Sequence, residues 1–267
     1  MSINPDIEIV TGTGAPVILH VPHASREIPP DVREGILLSD DQLEAELDAS
    51  VDSRTDQIVS VAAEFCRVKP MLVINRLSRL VVDPERLPDE SEELASAGRG
   101  AVYTRTCAGD RLRDESDQVQ IDRLLAGHYT AYALAMEAMT QTMLDQHGAV
   151  TIIDVHSYPP EPSGFELNKT GPRPEICIGT APFHTPPELA DLAEQSFRFA
   201  DFTDIEFNSP YKGCYVPLRY FGTEPRVQSV MVEIRRDVYL REDGTGISKV
   251  GVQLATGLTE IVRAIVG

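Results

Sequence analysis

Two apolar stretches of the chain end in histidine. "VILHVPHAS" (17–25) carries His20 inside the run and His23 just beyond it, and "VTIIDVHSYPP" (150–160) ends in Asp154 and His156 before a pair of prolines. The two-residue strand period puts Asp154 and His156 on one face, a spacing at which the carboxylate seldom reaches the neighbouring ring, so Asp154 reads as structural. Imidazoles at two such positions suggest a divalent metal, zinc most readily, whose catalytic sites use three nitrogen or oxygen ligands and keep a fourth position for water. Asp48, Asp52 and Asp56, four residues apart after the first histidine, are candidates for the missing carboxylate. Each feature has a plainer alternative: a strand-end histidine is often only hydrogen-bonded, His20 inside its strand more so than His23, and an acidic helix stripe is usually a solvated face.

Other segments offer complementary chemistry. "NRLSRLVVDPERLP" (75–88) supplies Arg76, Arg79 and Arg86. Arginine suits carboxylates because its planar fork donates two parallel hydrogen bonds, although surface arginines at strand ends would read the same way. "VQSVMVEIRRD" (227–237) places Glu233 on an otherwise apolar strand. A buried carboxylate there is costly unless poised for proton transfer or paired, for instance with Arg235 or Arg236. "SPYKGCYVPLRYFG" (209–222) looks like a turn whose Gly213 admits a close backbone approach.

These residues need elements to position them. Apolar runs rich in valine and isoleucine recur at 16–21, 71–75, 80–83, 150–155, 175–179 and 227–234, separated by helical periodicity. That alternation predicts a single-domain α/β fold: a mixed, mostly parallel sheet flanked by helices on both faces. Ser39 and Gln42 form a capping-box signature ahead of Leu43, Leu47 and Val51, in a helix continuing, whole or broken, to about Phe65. Further helices are expected from about Gln118 to Gln146, stopped by Gly148, from Pro186 to Phe199, and from Ile247 to Val266. Residues 84–116 and 158–175 fit neither period, and loops that long tend to act as lids or binding loops.

A length of 267 residues with 42% hydrophobic content can bury one large core. The formal net charge of -18 disfavours nucleic acid and anionic membrane as partners. A small anionic substrate would then need local arginines. No apolar stretch approaches the roughly 20 residues of a membrane span, and the N-terminus lacks a signal-like pattern, so a cytoplasmic location is expected. Cys66, Cys107, Cys177 and Cys214 are scattered and read as reduced fillers.

Taken together, these segments resemble the N-formylglutamate amidohydrolase family, metal-dependent hydrolases with a fold similar to zinc carboxypeptidases. "VPHAS" looks like its P-H-A-G, "SRLVVDPER" like S-R-x-V-I-D-x-N-R, "DVHS" like D-A-H-S, "YKGC" like Y-x-G-G, and "VEI" like its late glutamate strand, over residues 15 to 240. The resemblance implies one catalytic domain over 1–267. In it His23, Asp52 and His156 would hold Zn2+ or another divalent ion, Arg79 and Arg86 would hold the substrate's carboxylates, and Glu233 would be the catalytic base. It implies hydrolysis of a small anionic N-acyl amino acid, N-formyl-L-glutamate foremost, in histidine degradation, by a monomer or small homo-oligomer. A zinc amidase for another acylated amino acid or peptide, or a binding protein that kept the fold, are the alternatives. The chain departs from the pattern at Ser25, Pro84-Glu85 (where x-Asn is usual), Cys214 and Tyr215, and Glu85 would add a negative charge beside Arg86.

Overall fold

The computed structural model of the chain describes residues 5–166, 169–241 and 246–267. Leu167 and Asn168, inside the second long loop, lie outside them. The first part of the chain forms β1 (Ile7–Val10), β2 (Val17–Val21), α1 (Pro30–Arg33), α2 (Asp40–Ser50), α3 (Thr55–Phe65) and β3 (Met71–Asn75). A long irregular segment leads to α4 (Gln118–Leu124), α5 (Thr130–His147), β4 (Val150–Tyr158) and β5 (Ile176–Gly179). The chain closes with α6 (Pro187–Phe199), β6 (Ile205–Phe207), β7 (Val227–Arg235), α7 (Arg236–Tyr239) and α8 (Val250–Val266).

The described strands form one sheet in the order β1-β3-β2-β4-β7-β5-β6. Strands β3, β2, β4 and β7 run parallel, β1 and β5 pair antiparallel with β3 and β7, and β6 runs parallel to β5. The chain leaves β2 towards β3 on one side and returns to β4 on the other. The carboxyl ends of β2 and β4 therefore flank the point where strand order reverses, the usual place for a crevice in such sheets.

Side-chain alternation sorts the sheet into two faces. Leu19, Val21, Leu72, Ile153, Val155, Val230 and Val232 pack in one core with Ile58, Phe197, Leu254 and Leu258 of α3, α6 and α8. Ile18, Val73, Val150, Ile152 and Val227 pack on the other with Tyr132 and Met136 of α5. His20, Asp154 and His156 share the parity of this second face, where Tyr132 of α5 reaches His20. The expected two-sided α/β architecture is what forms.

The capping box at Ser39 and Gln42 is made in both directions. The helix expected to run on to Phe65 breaks at Val51, and Arg54 takes a left-handed φ of 67° before α3 begins. The helix from Gln118 is continuous through one π-helical turn at Leu125–Tyr129, and Gly148, at φ 78°, ends it. One expected strand does not form: residues 80–83 are a buried turn, with Val81 N–H bonded to Ser78 O at 2.8 Å. Leu80, Val81 and Val82 are apolar because they wedge beneath the long segment, at 0%, 0% and 3% exposure; a short apolar run does not distinguish these cases. The edge strands β1 and β6, four and three residues long, have too few positions to show a period. Among the described residues no helix is long and apolar enough to cross a membrane.

Gly257 lets α8 approach α6, since a Cβ there would meet ring atoms of the fully buried Phe197 at 2.6 and 2.8 Å. Gly257→Val should overpack this contact and lower unfolding free energy by about 1–3 kcal/mol, read from the urea midpoint. An unchanged midpoint would show that the two helices can separate freely.

Candidate active site

The site grows from strand ends. His23 lies two residues past β2, where Pro22 withholds a ladder donor. Its carbonyl accepts the backbone N–H of Asp52 at 2.9 Å, which pins the break between α2 and α3 against the strand end. Because the helix is interrupted there, Asp52 turns inward at 1% exposure, while the Asp48 side chain stays 75% exposed and Asp56 binds Arg76 at 2.8 Å. The three aspartates are not one helical stripe. His156, near the end of β4, stands opposite Glu233 of β7 in register.

Three donor atoms meet. His23 Nδ1 is 3.2 Å from His156 Nδ1 and 3.5 Å from Asp52 Oδ2, and His156 Nδ1 is 3.1 Å from the same oxygen. The remaining ring atoms and oxygens are held from outside. His23 Nε2 donates to Asp83 Oδ1 at 2.9 Å, and Asp83 Oδ2 accepts from Arg79 at 2.7 Å and from the Tyr103 hydroxyl. Arg236 bonds Asp52 Oδ1 at 3.3 Å and the Ala49 carbonyl at 3.0 Å. His156 Nε2 stands 3.0 Å from Asp154 Oδ1 and 3.2 Å from Glu85 Oε2, in ion-pair contact with both carboxylates.

His20, expected to matter less than His23, is fully buried and belongs to the same network. Its Nδ1 bonds Asp154 Oδ1 at 2.8 Å, its Nε2 bonds the Tyr132 hydroxyl at 2.7 Å, and its ring stacks on Tyr215 at 4.4 Å. His23, Glu85 and His156 form one group of donors able to hold a metal ion; His20, Glu85 and Asp154 form another.

Charge follows contact. Burial alone would raise the Asp83 pKa, but Arg79 and His23 beside it hold it well below the usual carboxylate range. Asp154 and Asp52 are likewise lowered against burial by their histidine neighbours. His156 is raised well above an ordinary imidazole, since Asp154 and Glu85 outweigh its burial. Glu233 goes the other way: burial lifts it to about 7, only partly opposed by His156.

A family model described as N-formylglutamate amidohydrolase matches residues 15–240. The chain belongs to the N-formylglutamate amidohydrolase family. It is therefore a hydrolase acting on an amide bond. The crystal structure of N-formylglutamate amidohydrolase from Ralstonia eutropha JMP134 superposes with a TM-score of 0.79 at 21% identity, over 97% of this chain and 96% of that one. A gene product of Agrobacterium tumefaciens superposes at 0.71, also at 21% identity, over 98% and 95%. At such identity these likenesses speak for the fold. A metallo-carboxypeptidase from Pseudomonas aeruginosa overlaps at only 0.32, with 11% identity over 97% of this chain and 63% of that one, too loosely to carry an argument. No curated protein matches the sequence significantly.

Of the residues singled out in this family member's sequence, His23, Asp52 and His156 converge. Arg79 joins them through Asp83, and Arg86 stands one step further out, 3.3 Å from Glu92 and 3.7 Å from Asp83. Arg76 points away, to Glu8 and Asp56. Glu233 is 8% exposed and pairs with neither adjacent arginine, since Arg235 binds Asp237 and Arg236 binds Asp52. Two readings need correction. Asp154, expected to be too close along one strand to reach the His156 ring, does approach it, with Oδ1 3.0 Å from His156 Nε2. Glu85, expected beside Arg86, instead extends into the histidine cluster.

Asp83, Tyr103 and Arg236 were not anticipated. Asp83 lay within the arginine motif, and a buried Asp bracketed by arginines was its available signal. Tyr103 sits on a loop and Arg236 at the start of the short helix α7, with no pattern to mark them. Tyr103→Phe would remove the hydroxyl that donates to buried Asp83 and accepts from Arg79 at 3.1 Å. It should cost about 1–3 kcal/mol of stability in urea denaturation. No loss would mean that water replaces the hydroxyl.

Proposed function

We propose that the chain is a metal-dependent amidohydrolase of N-acyl amino acids, with N-formyl-L-glutamate as substrate and formate and L-glutamate as products. Family membership supports the amide chemistry. The observation that carries the metal is the donor triangle of His23 Nδ1, His156 Nδ1 and Asp52 Oδ2. Its 3.2, 3.5 and 3.1 Å edges match the roughly 3.3 Å edge of a tetrahedron built on bonds of about 2 Å. Two imidazoles and a carboxylate suit zinc, and other divalent ions share that preference. When bound, the ion would lower the pKa of its water towards neutrality and polarise the acyl oxygen.

The chain's own groups would supply the rest. Asp83 behind His23 fixes the ring so that Nδ1 faces Asp52. Glu233, lifted to about 7 by burial and with Oε2 lacking a hydrogen-bond partner, is free to take a proton. It accepts one from water as the water oxygen adds to the formyl carbon, and returns it to the nitrogen as the C–N bond breaks. Arg86, with a side chain 30% exposed, gives Glu92 one N–H and keeps others for a substrate carboxylate. Arg79 lies deeper and steers the anion against the global charge.

Chelation should abolish formate release from N-formylglutamate, and added zinc should restore it; full activity after complete stripping would exclude the metal role. His156→Ala should lose ion and activity together. Glu233→Gln should keep the ion while kcat drops roughly 100- to 10,000-fold, and an undiminished kcat would remove Glu233 from proton transfer. Side-by-side kinetics on formylglutamate, formylaspartate and acetylglutamate test the substrate. Formylglutamate should give the highest kcat/KM, and turnover of none of the three would refute it.

A further inference from the structure

The proposed metal position leaves a second set of buried donors unused on the other side of His156. His20 Nδ1 is 2.8 Å from Asp154 Oδ1 and 3.5 Å from Glu85 Oε1. His20 and Asp154 are 0% and 1% exposed, and the Glu85 side chain 16%. We propose that His20, Glu85 and Asp154 hold a second divalent cation beside the first. This extends the metal reading above and rests on it.

One observation points to a missing ligand there. Glu85 Oε1 is buried with no hydrogen-bond partner, 3.5 Å from His20 Nδ1. His156, 4% exposed, brings Nε2 to 3.2 Å from Glu85 Oε2 and 3.0 Å from Asp154 Oδ1, so with Nδ1 on the first ion its Nε2–H faces these carboxylates and leaves Oε1 unserved. A proton shared between His20 and Asp154 explains their own contact and not this orphaned oxygen. A buried polar atom without a partner is costly and uncommon and calls for an occupant.

The donors also have the outer support that metal ligands usually show. His20 Nε2 bonds the Tyr132 hydroxyl at 2.7 Å, so a cation on Nδ1 leaves Nε2–H to donate. Asp154 Oδ2 accepts the Tyr215 N–H at 3.0 Å, which frees Oδ1. The backbone N–H of Glu85 is anchored to Asp83 Oδ1 at 3.1 Å. The first position is supported alike, by Asp83 behind His23 and Arg236 behind Asp52.

Charge balance points the same way. Asp52, Asp83, Glu85, Asp154 and Glu233 crowd the imidazoles, against the guanidiniums of Arg79 and Arg236; Arg86 is balanced by Glu92. One divalent ion leaves carboxylate in excess, which would repel a dicarboxylate substrate. A second makes the cluster net positive. Glu85 is the residue that creates this position, since an asparagine there, as in the motif the sequence resembles, would leave Asp154 as the only carboxylate.

Stripped protein equilibrated with zinc, and separately with manganese, should bind about two ions per chain by elemental analysis and calorimetric titration. Glu85→Gln should bind about one, its folding checked by circular dichroism. About one ion in both proteins would overturn the second position and leave the first intact. None would overturn both, and about two in both would overturn the assignment to Glu85. The wild-type count decides the matter by itself if the variant does not fold.

Discussion

Three carboxylates, Asp52, Asp83 and Asp154, sit at 0–1% exposure within one cluster. Taking an ionised carboxylate out of water costs several kcal/mol unless its attractions inside the protein offset that loss. Each is offset by a specific partner: Arg236 and the histidines for Asp52, Arg79 and His23 for Asp83, His20 for Asp154. The partners come from the ends of β2, β4 and β7 and from the segment after β3, so the cluster exists only when these strands are paired and that segment is in place. A buried ion cluster of this kind adds little net stability, but breaking one partner leaves a charge stranded. The rest of the site inherits its geometry from that demand.

Parallel strands make the demand satisfiable. Because β2, β4 and β7 point the same way, their last residues emerge on one edge, and the register sets His20 opposite Asp154 and His156 opposite Glu233. On the second face α5 packs over Ile18 and Ile152 and reaches His20 through the Tyr132 hydroxyl, and the next residues of the same parity on β4, Asp154 and His156, turn polar and join the buried cluster. Alternation thus turns one strand from core to chemistry without a change of conformation. The opposite parity, Ile153 and Val155, stays in the α3–α6–α8 core and holds the strand in place.

This explains which parts of the site were legible in the sequence. The histidines after β2 and β4 stood out because they interrupt apolar runs at strand ends, and the capping box at Ser39 marked α2 to the residue. Asp52 was legible only through family resemblance. Its helical spacing from Asp48 and Asp56 pointed to a solvated stripe, and what turns it inward is a helix break that its own hydrogen bond to His23 helps to make. Glu85 and Asp154 were misplaced for a related reason. Spacing along a chain gives the face of an element, whereas their contacts depend on where separate elements cross. His20 looked like a strand residue and is one; its place in the cluster comes from contacts with Tyr132 and Asp154, 112 and 134 residues away.

The long segment after residue 84 looked like a lid, and its interior argues for a wall. Arg99 and Arg113 are each 1% exposed, more buried than many core leucines. Arg99 pairs with Glu46 at 3.1 Å and lies between the rings of Tyr103 and Phe165, at 3.6 and 4.5 Å, so it joins α2 to both long loops. Arg113 donates to the carbonyls of Tyr103 and Leu80, and burial pushes its pKa down to about 10. Opening this segment would expose or strand both guanidiniums and withdraw Tyr103 from Asp83. Since Asp83 orients His23, a mobile segment would make the imidazole's direction depend on closure. A fixed one holds the donors in place before any substrate enters, which is what electrostatic preorganisation requires. The flexible element, if catalysis uses one, then has to be sought elsewhere on the rim.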